Sequence, residues 1–121
     1  MTNGLEVSSD VWRSRIPLTD EQLRDFARKW RITRMGLVGD ILTEGYGPES
    51  EVEIVVSFEP GAPWSLLDVA RMQAELADLI RHENTTVVQL EALAAPDNPH
   101  RSEARARRYR DEMRLLFAAA A

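Results

Sequence analysis

The spacing of apolar residues divides the chain into segments of two different periods. Between residues 18 and 30, Leu23, Phe26, Ala27 and Trp30 recur every three or four positions, and Thr19 and Gln22 stand at capping-box spacing, which predicts a first helix. A short apolar run at 32–38 leads into a stretch rich in Gly and Pro at 39–50, the pattern of a strand feeding a loop. Residues 51–58 form a β-branched run ended by Glu59-Pro60-Gly61, the clearest strand in the chain. Ser65 with Asp68 caps a second helix that ends near His82, with Leu66, Leu67, Ala70, Leu76, Leu79 and Ile80 as its expected buried stripe. Residues 85–90 predict a third strand. After the breakers Pro96 and Pro99, a last helix is expected from about Arg101 to Phe117, with Tyr109, Met113, Leu116 and Phe117 on one face.

The predicted order is therefore helix, strand, strand, helix, strand, helix. It implies an α/β (α+β) fold, a small mixed sheet with helices packed against it. No internal repeat or linker divides it, so residues 18–117 read as one domain, preceded by an arm at 1–17 and followed by an alanine tail at 118–121. The arm carries Val11, Trp12 and Ile16, enough apolar surface to dock on its own domain or on a neighbour; otherwise it is disordered.

Composition narrows the chemistry. At 121 residues the chain can bury a core without disulfides or a structural metal, and it has room for one site. No apolar run is long enough to cross a membrane, and the polar start lacks the features of a signal peptide, so a cytoplasmic location is expected. Zero cysteines exclude thiolate zinc sites and cysteine nucleophiles. The net charge of −5 argues against direct nucleic-acid binding, although six of the fifteen basic residues cluster between Arg101 and Arg114.

Two acidic residues two apart on a strand project from one face, roughly 6.6 Å apart along the backbone. Glu51 and Glu53 have this spacing, at the start of a strand and beside a loop containing Gly39, Gly45 and Gly47. Paired carboxylates next to a glycine-containing loop suit a Mg²⁺–nucleotide site, because Mg²⁺ is held by one or two carboxylates and the substrate's phosphates.

The register extends further. Gly39-Asp40 is followed by ten residues and then Glu51-Val52-Glu53, which resembles the Gly-Ser, ten residues, Asp-x-Asp pattern of the nucleotidyltransferase superfamily. Leu37-Val38-Gly39 is similar to the family's Leu-Phe-Gly, and residues 54–61 resemble the hydrophobic strand ending in Phe-x-Pro-Gly of its minimal (MNT, antitoxin-like) members. The likeness covers roughly residues 18–117. It implies a nucleotidyltransferase fold, Mg²⁺ and ATP as cofactors if the protein is active, and a setting in which minimal members pair with a HEPN-domain ribonuclease toxin and neutralise it by transferring AMP.

Several positions depart from the pattern. Asp40 replaces the serine that the resemblance places on the nucleotide phosphates; two like charges ~4 Å apart repel by about 4 kcal/mol at an effective dielectric near 20. Asp40 could instead join Glu51 and Glu53 as a metal ligand. Glutamate at 51 and 53 lengthens each arm by about one C–C bond, ~1.5 Å. Thr86 falls where active relatives often carry a third carboxylate, and Thr43-Glu44 stands for the family's Arg-Gly. Phosphoryl transfer relies almost wholly on positioning and charge stabilisation, so these changes together point to a degenerate site.

Three readings follow: a pseudoenzyme that acts by protein–protein binding, as an antitoxin against a HEPN-type toxin or as a homo-oligomer; an active Mg²⁺-dependent nucleotidyltransferase using Glu51 and Glu53; or a nucleotide sensor without turnover. Trp12 and Trp64 are candidate interface anchors, whereas Trp30 reads as core. Arg101, Arg105 and Arg108 are candidates for binding a partner or RNA, or else form a solvated helix face with Glu103, Asp111 and Glu112. His82 and His100 lack ligand partners at metal spacing and read as surface residues.

Overall fold

A computed structural model describes residues 5–119. Helix α1 (Ser9–Ser14) and helix α2 (Asp20–Lys29) precede an antiparallel pair, β1 (Ile32–Val38) and β2 (Val52–Phe58). Helix α3 (Leu66–Ile80) then crosses to β3 (Thr85–Gln89), which lies parallel to β2, as a parallel pair requires. Helix α4 (Glu103–Glu112) and β4 (Arg114–Ala118) close the chain, β4 running antiparallel to β1. The single mixed sheet has the order β3-β2-β1-β4. Among the described residues no helix is long and apolar enough to cross a membrane.

Local signals decide the helix starts. Thr19 and Gln22 form a reciprocal capping box at α2, and Ser65 and Asp68 form another at α3. The two faces of the sheet are buried unequally. On one, Met35, Leu37, Ile54 and Val56 pack against Leu23 and Phe26 of α2, Met72, Leu76 and Ile80 of α3, and Trp12 of α1. On the other, a smaller cluster joins Val38, Val55, Leu90 and Tyr109, with Met113 against it. Gly36 faces this side. A Cβ there would sit 3.0 Å from the Met113 sulfur and 3.2 Å from its Cβ, so glycine lets the α4–β4 junction settle on the strand.

Three expectations are corrected, and one left open is decided. The last helix ends at Glu112 because Met113 turns extended, and 114–118 form a strand that covers the free edge of β1. A short apolar run does not by itself choose between helix and strand, and here β1, buried along most of its length, needed a second neighbour. The order thus gains a helix at the front and a strand at the end. The stripe of α3 is Met72, Leu76 and Ile80; Leu66 and Leu67 stay 85% and 61% exposed, and Leu79 is exposed as well. At 3.6 residues per turn Leu67 falls about opposite that line. Finally, the arm docks on its own domain: Trp12 and Ile16 are buried in the larger core. Residues 1–4 of the expected arm and 120–121 of the expected tail lie outside the described residues.

Both sheet edges are blunted. Val87 on β3 donates its N–H to the Gln73 side chain at 3.0 Å, and on β4 the Leu116 carbonyl accepts from Arg13 at 3.0 Å beside a register shift.

Candidate functional site

Glu53 is the second residue of β2, and its register partners are Val38 on β1 and Thr86 on β3. Paired residues project from the same face, so Glu53 and Thr86 stand side by side on the face covered by α4. Glu51 immediately precedes β2 and is exposed, and the strand starts where Val52 donates to the Asn84 carbonyl at 2.8 Å.

The loop between β1 and β2 begins at Gly39, whose φ of 88° suits glycine, and continues into a 3₁₀ turn at Asp40–Leu42. The Asp40 carbonyl accepts from both the Thr43 N–H (2.9 Å) and the Thr43 hydroxyl (3.0 Å), so Thr43 is spent on closing the turn. Asp40 then lines an open hollow with Gly47, Pro48, Glu49 and Ser50.

The loop is fastened from outside. His82 Nε2 lies 2.6 Å from the Ser50 carbonyl, and its ring stacks on Tyr46 at 6.2 Å. The Arg15 guanidinium sits 4.9 Å above Tyr46 and donates to the carbonyls of Ile41 (2.9 Å) and Thr43 (2.7 Å). Val7 bonds Leu42 and Glu44 bonds Leu5 through the backbone, while Arg114 grips Glu6 through two nitrogens at 2.7 and 3.0 Å. His82 is therefore a half-buried brace and not the surface residue the sequence suggested. His100 is exposed.

Charge around the loop is one-sided. Residues 35–70 contain Asp40, Glu44, Glu49, Glu51, Glu53, Glu59 and Asp68 and no lysine or arginine. Arg15, brought in from α1's C-terminal end, supplies a guanidinium, but it is directed at backbone carbonyls.

The Tyr109 hydroxyl of α4 donates to Glu53 Oε2 at 2.8 Å across 56 positions of sequence. Burial, and then this hydrogen bond, push the Tyr109 phenol above its ordinary value, while the neighbouring Arg105 opposes them. Arg108 lies over the same ring at 5.4 Å. Two carboxylates are suitable donors for a hard divalent cation, and Glu51 and Glu53 are the residues that would hold one. The set stops at two: among the described residues no three His, Cys, Asp or Glu side chains come together to share an ion.

The remaining candidates separate. Trp12 is only 7% exposed, packed in the protein's own core, which removes it as an interface anchor. Trp64 is half-buried, donating its indole N–H to the Trp30 carbonyl at 2.7 Å and meeting Trp30 edge-on at 5.1 Å. Trp30 is buried as expected, and its indole N–H donates to Glu75, which also pairs with Lys29. Arg101, Arg105 and Arg108 are exposed, and among the described residues none forms an ion pair. Tyr109, Arg15 and Tyr46 escaped sequence reasoning. Tyr109 falls on the apolar face expected of the last helix, and nothing in the sequence marks its hydroxyl as a partner of Glu53.

No family model and no curated protein matches the chain. Among solved structures, the toxin–antitoxin MntA–HpeT mutant, in which two aspartates two positions apart are both replaced by glutamate, superposes with a TM-score of 0.61 at 14% identity, over 84% of this chain and 75% of that one. A toxin–antitoxin solved with AMP-PNP superposes with a TM-score of 0.63 at 12% identity, over the same shares. At these identities the likeness is one of fold. The chain has the nucleotidyltransferase-like fold of these neighbours.

Proposed function

We propose that the chain is a degenerate nucleotidyltransferase-like protein that acts by binding a protein partner, as the antitoxin side of a toxin–antitoxin pair whose toxin is of the HEPN type. The observation that carries this reading is the state of the carboxylate site. Glu53 is engaged by Tyr109, and Thr86 stands beside it where the resemblance places a third carboxylate. Phosphoryl transfer without a completed charge clamp loses most of its stabilisation. The toxin–antitoxin neighbour with glutamate at two positions two apart supports the reading, since Glu51 and Glu53 have that same arrangement. Cytoplasmic action fits such a role. Arg101, Arg105 and Arg108, which form no ion pair among the described residues, together with Trp64, are the residues we assign to the contact.

The neighbour solved with AMP-PNP favours a second reading, in which Mg²⁺ and ATP still bind at Gly39, Asp40, Glu51 and Glu53, for sensing or for AMP transfer. Binding measurements with the product of the adjacent gene separate the two. Association unchanged in Asp40→Ala, Glu51→Gln and Glu53→Gln, but weakened at least tenfold in an Arg101→Ala/Arg105→Ala/Arg108→Ala variant, is the expected result. Association that requires Mg²⁺–ATP and is lost in Glu53→Gln supports the second reading and overturns the first.

A further inference from the structure

Helix α4 and its lead-in are a basic stretch of an acidic chain. From Arg101 to Glu112 five arginines stand against three acids, whereas the whole chain carries a net charge of −5. None of these five forms an ion pair among the described residues. At about 100° per residue, Arg105 and Arg108 share one flank of the helix's exposed surface, and Arg107 and Arg110 share the other. The first flank is built on an aromatic. Arg108 lies 5.4 Å over the Tyr109 ring, which is itself 8% exposed, and Arg105 stands beside the Tyr109 phenol. A guanidinium seated on a fixed ring has less rotamer freedom to lose on binding than one free in solvent. Arg101, ahead of the helix, instead donates to the Pro96 carbonyl at 3.2 Å.

The surroundings select the kind of anion. The phenol beside these arginines bonds Glu53, and Glu51 stands exposed two residues earlier, just ahead of the same strand. A nucleic acid is negative at every phosphate, so a strand laid on this flank runs on against those carboxylates. A folded protein can set a few carboxylates opposite the guanidiniums and neutral or basic groups beside them.

We propose that Arg105 and Arg108, held on Tyr109, form a docking site for a carboxylate patch on a folded protein partner, and that Glu51 and Glu53 keep nucleic acid from taking it. The inference rests on the protein-partner reading above, and it adds the partner's chemistry and the flank of α4 that recognises it. Each planar guanidinium matches a carboxylate through two parallel N–H donors, and the opposite charges steer the encounter before contact.

The test is association of the full chain with the product of the adjacent gene, followed kinetically in NaCl from about 50 to 500 mM, with a fluorescent single-stranded RNA as second probe. Arg105→Glu/Arg108→Glu should weaken association at least about fiftyfold, while Arg107→Glu/Arg110→Glu, the same charge change on the other flank, should stay within about threefold. Thermal melts establish that the variants fold, and Arg105→Gln/Arg108→Gln carries the comparison if the glutamate variant does not. The parent's association rate should fall at least about tenfold across the salt range, a response that packing alone would not give. The RNA should not bind at micromolar concentration. Equal losses from the two flanks, or an association rate indifferent to salt, would overturn the docking site and leave the partner-binding function standing. RNA binding that is lost in Arg105→Glu/Arg108→Glu would overturn the choice of a protein carboxylate patch. No association with the product at any salt concentration would remove the partner-binding function and the docking site with it.

Discussion

The two faces of the sheet are built by different rules. The face under α1, α2 and α3 is filled by large aliphatic and aromatic side chains drawn from those helices and from the strands. The face under α4 has a smaller buried cluster, Val38, Val55, Leu90 and Tyr109, beside Glu53 and Thr86, which are in register on neighbouring strands, and Tyr109 bonds Glu53. The first face specifies the fold. The second carries the polar contacts, Tyr109 on Glu53 and Thr86 beside it, on which the proposed function rests.

Substitutions can break this contrast, starting with the largest effect. Trp12→Ala, on the packed face, should cost about 3–5 kcal/mol in chemical denaturation, because the arm is part of the core; a cost near zero would show the arm to be an accessory. Gly36→Ala, on the other face, should cost about 1–3 kcal/mol, since the new methyl meets Met113 Cβ at 3.2 Å with little room to yield. Equal stability there would mean that the α4–β4 junction is loosely seated.

Glu75 sharpens the contrast through pH. Burial raises its carboxyl's pKa, but hydrogen bonds from Lys29 and Trp30 outweigh this and leave it below the ordinary value of 4.5. A lowered folded pKa stabilises the protein above the unfolded value, and that contribution is lost as pH falls through the folded one. The parent should therefore lose stability below about pH 4.5 more steeply than Glu75→Gln, as measured by melts at intervals from pH 7 to 3; parallel curves would remove Glu75 from the account. The smallest effect is expected at Glu51, exposed and ahead of its strand, where Glu51→Gln should change stability by less than about 0.5 kcal/mol. A larger loss would make Glu51 part of the fold.

What the sequence revealed follows from range. Residues 19–22, 65–68 and 51–58 carry signals complete within one turn or one strand, and the structure has the helices and the strand there. The resemblance singles out Glu53 and Thr86 separately, and only the register of β2 on β3 sets them side by side. Tyr109, by contrast, meets Glu53 only through the path of α4, and Arg15 reaches the 39–50 loop only because Trp12 and Ile16 anchor the arm. The run at 113–119 is too short for its period to distinguish a last turn of helix from an edge strand; the need of β1 for a partner decided it. Leu66 and Leu67 were apolar but off the buried line, a choice set by which way α3 faces the sheet.

The most direct test of the central claim is incubation of the protein with α-labelled ATP, Mg²⁺ and the product of the adjacent gene, followed by measurement of label on that product. The account predicts no more label than with a Glu51→Gln/Glu53→Gln variant, while the two proteins still associate. Label transferred by the parent and lost in that variant would contradict it.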